Sequence, residues 1–143
     1  MALSLNDVAP AFELKGVLQG AETRFRLSDF KPSWLVLFFY PADFTFVCPT
    51  EIKGFEARSG EFAKQGARIA AISVDDLKSH TEWIKELGGL SFPLLSDTGG
   101  TVATAYGVLN AEDKRAFRAT FIIAPDGRLA YLTVSHERGT VRR

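Results

Sequence analysis

A cysteine acts as a nucleophile only as its thiolate, and this sequence contains one cysteine, Cys48. It stands in Pro41-Ala42-Asp43-Phe44-Thr45-Phe46-Val47-Cys48-Pro49-Thr50-Glu51, between an apolar run, Trp34 to Tyr40, and a helical pattern that starts at Pro49. The first turn of a helix leaves backbone N–H groups unpaired and favours an anion, and Pro49 suits a helix start. A lone cysteine is more often a small buried hydrophobe. Its place behind Pro41, at a strand-to-helix junction rather than inside an apolar run, favours the reactive reading. Ionisation alone is a small part of such chemistry. A thiol with pKa about 8.5 is under a tenth ionised near neutrality, so full ionisation gains only about tenfold. Enzymes commonly need about a millionfold or more, and the larger share must come from positioning and from donors that meet developing charge.

The elements that position this segment follow from periodicity. Trp34 to Tyr40 is apolar throughout and reads as a central strand covered on both faces. From Pro49 to Gln65, Ile52, Phe55, Ser59 and Phe62 fall on one helical face, and Gly66 suits the helix end. Arg68 to Val74 reads as a second buried strand. Ser79-His80-Thr81-Glu82 reads as a capping box opening a helix through Leu87, stopped by Gly88-Gly89. A shorter helix is expected over Thr101 to Tyr106. Phe12-Glu13-Leu14 and Arg24 to Leu27 suggest a short N-terminal hairpin, with Gly16 and Gly20 between them. Ala119 to Ile123 and Leu129 to Val134 form a second hairpin across Pro125-Asp126-Gly127. In open α/β sheets ligands collect beyond the carboxyl ends of strands, which is where Cys48 falls.

Composition narrows the function classes. Lysine plus arginine equals aspartate plus glutamate, 17 against 17, so no basic excess drives nucleic-acid binding. The 143 residues fit one domain, 1–143, and no repeat or low-complexity linker divides them. The N-terminus lacks the basic and apolar regions of a secretory signal, and no apolar run is long enough to span a bilayer. One cysteine forms no internal disulfide. These features predict a cytoplasmic protein without membrane or nucleic-acid partners. His80 and His136 are expected to face solvent and match no zinc pattern with a single cysteine. No metal or cofactor is expected. Trp34 and Trp83 are expected in the core.

The segment around Cys48 resembles the active-site loop of the peroxiredoxins, whose signature of proline, three residues, threonine, two residues and cysteine stands here as Pro41, Thr45 and Cys48. The wording FFYPADFTFVCPTEI is similar to the subgroup of bacterial alkyl hydroperoxide reductase peroxidase subunits and typical two-cysteine peroxiredoxins. The similarity continues through APAFEL, AISVDD, SHTEWI, FPLLSD, YGVL and RATFIIAPDG, to about Val134. It implies an α/β, thioredoxin-like fold: a mixed central sheet flanked by helices, with an N-terminal hairpin. It implies a thiol-dependent peroxidase acting on hydrogen peroxide and organic hydroperoxides. Cys48 would attack peroxide and become a sulfenic acid. Thr45 would hold peroxide and thiolate through its hydroxyl, Pro41 would shield the loop, and Arg118 would bring its charge beside the thiolate. Glu51 would orient arginines around the pocket. A thiol donor such as thioredoxin would restore the enzyme, and a homodimer or larger homo-oligomer would form through the last strand.

On the residues alone, Arg118 reads better as a surface charge at the edge of a hairpin, and Thr45 also suits a helix cap. Thiol–disulfide exchange on the same fold ordinarily uses Cys-x-x-Cys, whereas Pro49, Thr50 and Glu51 follow Cys48. An interaction or chaperone-like protein on this scaffold is disfavoured by the intact Pro41, Thr45, Cys48 and Arg118 set. The subgroup's C-terminal resolving cysteine and final helix are absent from this chain. Two explanations stand, a one-cysteine enzyme and a shortened two-cysteine protein. The second is favoured, since Leu129 to Val134 would otherwise leave apolar sheet surface uncovered.

Overall fold

The computed structural model describes residues 3–44 and 48–135, with the backbone alone for residues 48–51. The chain opens with a hairpin of β1 (Glu13–Leu18) and β2 (Ala21–Arg26), followed by a 3-10 turn over Leu27–Phe30. Then come β3 (Trp34–Phe39), α1 (Cys48–Lys64), β4 (Ala67–Ser73), α2 (Leu77–Leu87), β5 (Leu94–Ser96) and α3 (Thr101–Ala105). A small ribbon of β6 (Leu109–Asn110) and β7 (Arg115–Ala116) precedes the closing hairpin of β8 (Arg118–Ile123) and β9 (Leu129–Ser135).

One mixed sheet runs in the order β2-β1-β5-β4-β3-β8-β9. β3 pairs in parallel with β4, and β4 with β5, while β8 lies antiparallel to β3. Alternate residues of a strand face opposite ways, and β3 shows the consequence. Leu35, Leu37 and Phe39 pack with Tyr106 and Phe121 in one core. Val36, Phe38 and Tyr40 pack with Ile52 of α1 and with Trp83 and Ile84 of α2 in the other. A strand buried on both faces must be apolar throughout, which is why the run from Trp34 to Tyr40 is unbroken.

Several sequence expectations shift. The N-terminal hairpin is longer than the alternation suggested, and Gly16 lies within β1. A Cβ there would stand 2.9 Å from the Leu94 carbonyl oxygen and 2.5 Å from Leu95 Cδ2, so the glycine permits close approach of β5. β5 itself, with three residues, is too short for a periodicity to register. α2 starts at Leu77, ahead of the expected capping box. Its N-cap is Asp76, whose carboxylate accepts the Ser79 backbone N–H at 2.9 Å. Gly88, at φ 92°, closes that helix in the left-handed conformation. Trp83 is buried as expected, but Trp34 is 40% exposed at the first residue of β3, where the strand has not yet gone under its helices. His80, expected at the surface, is fully buried (0% exposed). His136 lies outside the described residues. Among the described residues no helix follows β9, and none is long and apolar enough to cross a membrane.

Candidate active site

β3 ends at Phe39, and the chain leaves the sheet through Tyr40 and Pro41 before α1 begins at Cys48. The backbone of Cys48 is therefore the first of a 17-residue helix, beyond the carboxyl end of a central parallel strand. The Cys48 and Glu51 side chains, and all of Thr45, lie outside the described residues. Pro41, two residues past the end of β3, is half-buried.

Arg118 reaches this end of the sheet by strand register. Phe39 of β3 pairs with Ala119 of β8 in an antiparallel ladder, so Arg118, one residue earlier in β8, lies level with the exit of β3. Ala119, Phe121 and Ile123 are buried in the core on the α3 side, and Ile122 packs on the α1–α2 side. The period of two places Arg118 on the same face as Ile122. That face carries α1. The sheet thus brings the half-buried Arg118 to the end and the side where Cys48 starts its helix, although 70 residues separate them in sequence.

Beneath the loop lies a buried polar network. Asp43 is its centre. The Tyr40 hydroxyl donates to Asp43 Oδ1 at 2.6 Å, and the Ser79 hydroxyl to Oδ2 at 2.8 Å. His80 Nδ1 meets Oδ2 at 2.7 Å, and its Nε2 meets the Leu95 carbonyl at 2.9 Å. The backbone N–H of Asp43 donates to Asp75 Oδ2 at 2.6 Å, which also accepts the Ser73 hydroxyl at 2.7 Å. Burial first, and the neighbouring Asp43 next, push the Tyr40 phenol well above its ordinary value. The hydroxyl therefore stays protonated and donates. Phe44 follows at φ 62°, a left-handed conformation unusual for a large side chain. The residue is 48% exposed and its ring leans on Trp83, with ring centroids 6.2 Å apart.

A strand end, a helix start and an arginine thus meet at one end of the sheet. The sequence profile of the AhpC/TSA family matches residues 5–132. The chain belongs to the AhpC/TSA family. Peroxiredoxin-2 of Pongo abelii is 44% identical over 133 residues, covering 89% of this chain and 75% of that protein. Peroxiredoxin tpx1 of Schizosaccharomyces pombe is 41% identical over 141 residues, covering 94% of this chain and 73% of that protein. The solved Mycobacterium tuberculosis AhpC superposes with TM-score 0.90 at 33% identity, over 100% of this chain and 87% of that one. Enterococcus faecalis AhpC gives TM-score 0.91 at 31% identity, over 100% of this chain and 86% of that one. The protein is a peroxiredoxin with a thioredoxin-like fold, a thiol-dependent peroxidase that takes hydroperoxides as substrates and thiols as reductants.

Of the residues singled out in the sequence, Pro41 and Arg118 lie at this peroxiredoxin's loop, and Cys48 opens its helix. Tyr40, Asp43 and Asp75 have no functional signal in the sequence, while Ser79 reads there as part of a capping box and His80 as a solvent-facing residue, both corrected by the structure. One signal was available: His80, Trp83, Ile84 and Leu87 follow helical spacing, which puts the histidine on the apolar face.

Proposed function

We propose that Cys48 is the peroxidatic nucleophile. Its thiolate attacks one peroxide oxygen, an S–O bond forms as the O–O bond breaks, and the departing oxygen leaves as water or an alcohol after taking a proton. The sulfur is oxidised by two electrons to a sulfenic acid, and the peroxide is reduced. An external thiol then displaces the sulfenic oxygen as water, giving a mixed disulfide, and a second thiol releases Cys48. Thioredoxin or a similar small dithiol protein is the donor in this reading.

The observation that carries the proposal is the start of α1 at Cys48 beyond the carboxyl end of β3, with Arg118 brought level by the β3–β8 register. A helix start favours the thiolate and later the anionic leaving oxygen. In this reading Arg118 adds a permanent charge, Thr45 holds peroxide through a hydroxyl that both donates and accepts, Pro41 shields the loop and Glu51 orients arginine. We propose further that residues 1–143 act as one cytoplasmic domain and self-associate through β9, an edge of the sheet among the described residues.

Cys48→Ser tests the assignment. Its hydroxyl is hardly ionised at neutral pH, so peroxide consumption with dithiothreitol falls to background while the circular dichroism spectrum is kept. Wild type treated with stoichiometric peroxide gives a sulfenate-trapped product at Cys48. Turnover by Cys48→Ser close to wild type would refute the assignment.

A further inference from the structure

The proton inventory of the buried network assigns a state to His80. A carbonyl oxygen only accepts, so the Nε2 facing Leu95 O at 2.9 Å carries a hydrogen. Asp43 already accepts the Tyr40 hydroxyl on Oδ1 and the Ser79 hydroxyl on Oδ2. With the carboxylate ionised, Nδ1, at 2.7 Å from Oδ2, must donate as well. His80 is then an imidazolium with no solvent contact, paired with a carboxylate that has none. A buried charge without a partner is strongly destabilising, whereas a pair with its remaining hydrogen-bonding capacity satisfied is tolerated. Here Leu95, Tyr40 and Ser79 supply that satisfaction.

The pair also holds the loop. Asp43 is fixed through its side chain by Tyr40 at the end of β3 and by Ser79 and His80 of α2. Its backbone N–H is fixed by Asp75, beyond the end of β4. The residue after it, Phe44, has a left-handed backbone, a conformation that persists only when its surroundings over-determine it. Four positions further on stands Cys48.

We propose that His80, with hydrogens on both ring nitrogens, is a positioning residue of the peroxidase reaction: by donating to Asp43 it fixes the Pro41–Phe44 turn and so sets the approach to Cys48. The inference rests on Cys48 being the peroxidatic residue. It touches no substrate and acts through Asp43.

Two substitutions separate the halves of the device. In His80→Asn the amide nitrogen reaches the Nδ1 position and donates to Asp43, whereas in His80→Gln it reaches the Nε2 position and donates to Leu95. Each variant loses one buried hydrogen bond and the positive charge facing Asp43, so both are destabilised in urea. The second-order rate of Cys48 with hydrogen peroxide, read by stopped flow, separates them. His80→Asn stays within about threefold of wild type because the bond to Asp43 survives. His80→Gln slows by about tenfold to a hundredfold, the scale of a misplaced reacting group. Rates that follow urea stability alone, or a His80→Gln rate equal to wild type, would overturn the proposal. ¹⁵N spectra of wild type give a readout independent of any variant. Both ring nitrogens are expected in the N–H range, and a bare Nδ1 would equally overturn it. If wild type shows no Cys48-dependent turnover, it is the nucleophile assignment that fails, and the ¹⁵N spectrum still reports on His80.

Discussion

Tyr40→Phe measures what the network beneath the loop contributes to stability. The ring is fully buried between Phe38, 6.0 Å away by centroid, and Trp83, 5.6 Å away, and phenylalanine keeps both contacts. Only the hydroxyl is lost, and with it the 2.6 Å bond to Asp43 Oδ1. A hydrogen bond to a charged acceptor contributes about 1.5–3 kcal/mol. The offset is the desolvation of the phenol oxygen, which phenylalanine avoids. Because Asp43 is itself buried and stays behind one donor short, the loss outweighs the offset. With a urea slope of about 2 kcal/mol/M, the midpoint moves down by about 1 M at unchanged slope.

The same variant has a signature in alkali. The Tyr40 phenol is raised above its ordinary 10.0 in the folded protein, so above that pH the unfolded chain releases a proton that the folded chain keeps. Fewer protons bound in the unfolded state means stability falls as pH rises. The contribution is fully present below pH 10.0 and is lost on the way to the folded value. Tyr106 is raised by burial too, so the quantity to read is the difference between variant and wild type. Wild type should lose its advantage over Tyr40→Phe as pH climbs above the ordinary tyrosine range. Equal urea midpoints at neutral pH, with equal slopes, would refute the claim that the network is net stabilising.

Arg118→Ala should slow the stopped-flow reaction with peroxide by about a hundredfold, the order seen when one transition-state donor is removed, and Arg118→Lys should recover only part of it because the planar fork is lost. An unchanged rate would leave Arg118 a surface charge. Tyr131, 50% exposed on β9, should be needed for self-association: Tyr131→Asp puts like charges on both copies, so light scattering should move toward monomer without loss of the fold. Asp97 accepts the N–H groups of Val102 and Ala103 at the start of α3, and burial holds its carboxyl above the ordinary 3.8 despite those donors. Its folded form binds the proton more tightly than its unfolded form, so stability falls as pH rises through the folded value. In urea titrations, wild type should gain on Asp97→Asn as pH is lowered from neutrality toward 3.8, and a difference flat in pH would refute this.

The parts of this fold legible in the sequence are those whose burial is written in one local period. β3 is apolar on every residue because both faces are covered, and α1 shows Ile52, Phe55 and Phe62 on one side because one face is covered. What periodicity missed depends on partners far along the chain. β5 is three residues long and exists because β4 and β1 offer it ladders. Gly16 looks like a turn residue, yet it serves strand packing against Leu94 and Leu95. The candidate site divides in the same way. Pro41, Thr45 and Cys48 lie within eight residues and match the family signature as one local segment, whereas Arg118 is remote in sequence and only the β8 register brings it level with the exit of β3.

The burial of His80, against the expectation from its polarity, has a physical reason. Polar residues are assigned to the surface because an unpaired polar group is costly inside, and the sequence does not display the pairing. The partner, Asp43, is 37 residues away, in a loop with no period. Helical spacing with Trp83 and Ile84 nevertheless places His80 on the buried face, and burial of an imidazole at that position requires partners for both nitrogens. From those two statements a carboxylate or carbonyl must come to it from elsewhere in the fold. The loop that leads to Cys48 supplies the carboxylate, and β5 supplies the carbonyl through Leu95. The polar position on the apolar face of the helix is therefore the place where α2 is tied to the loop that leads to Cys48.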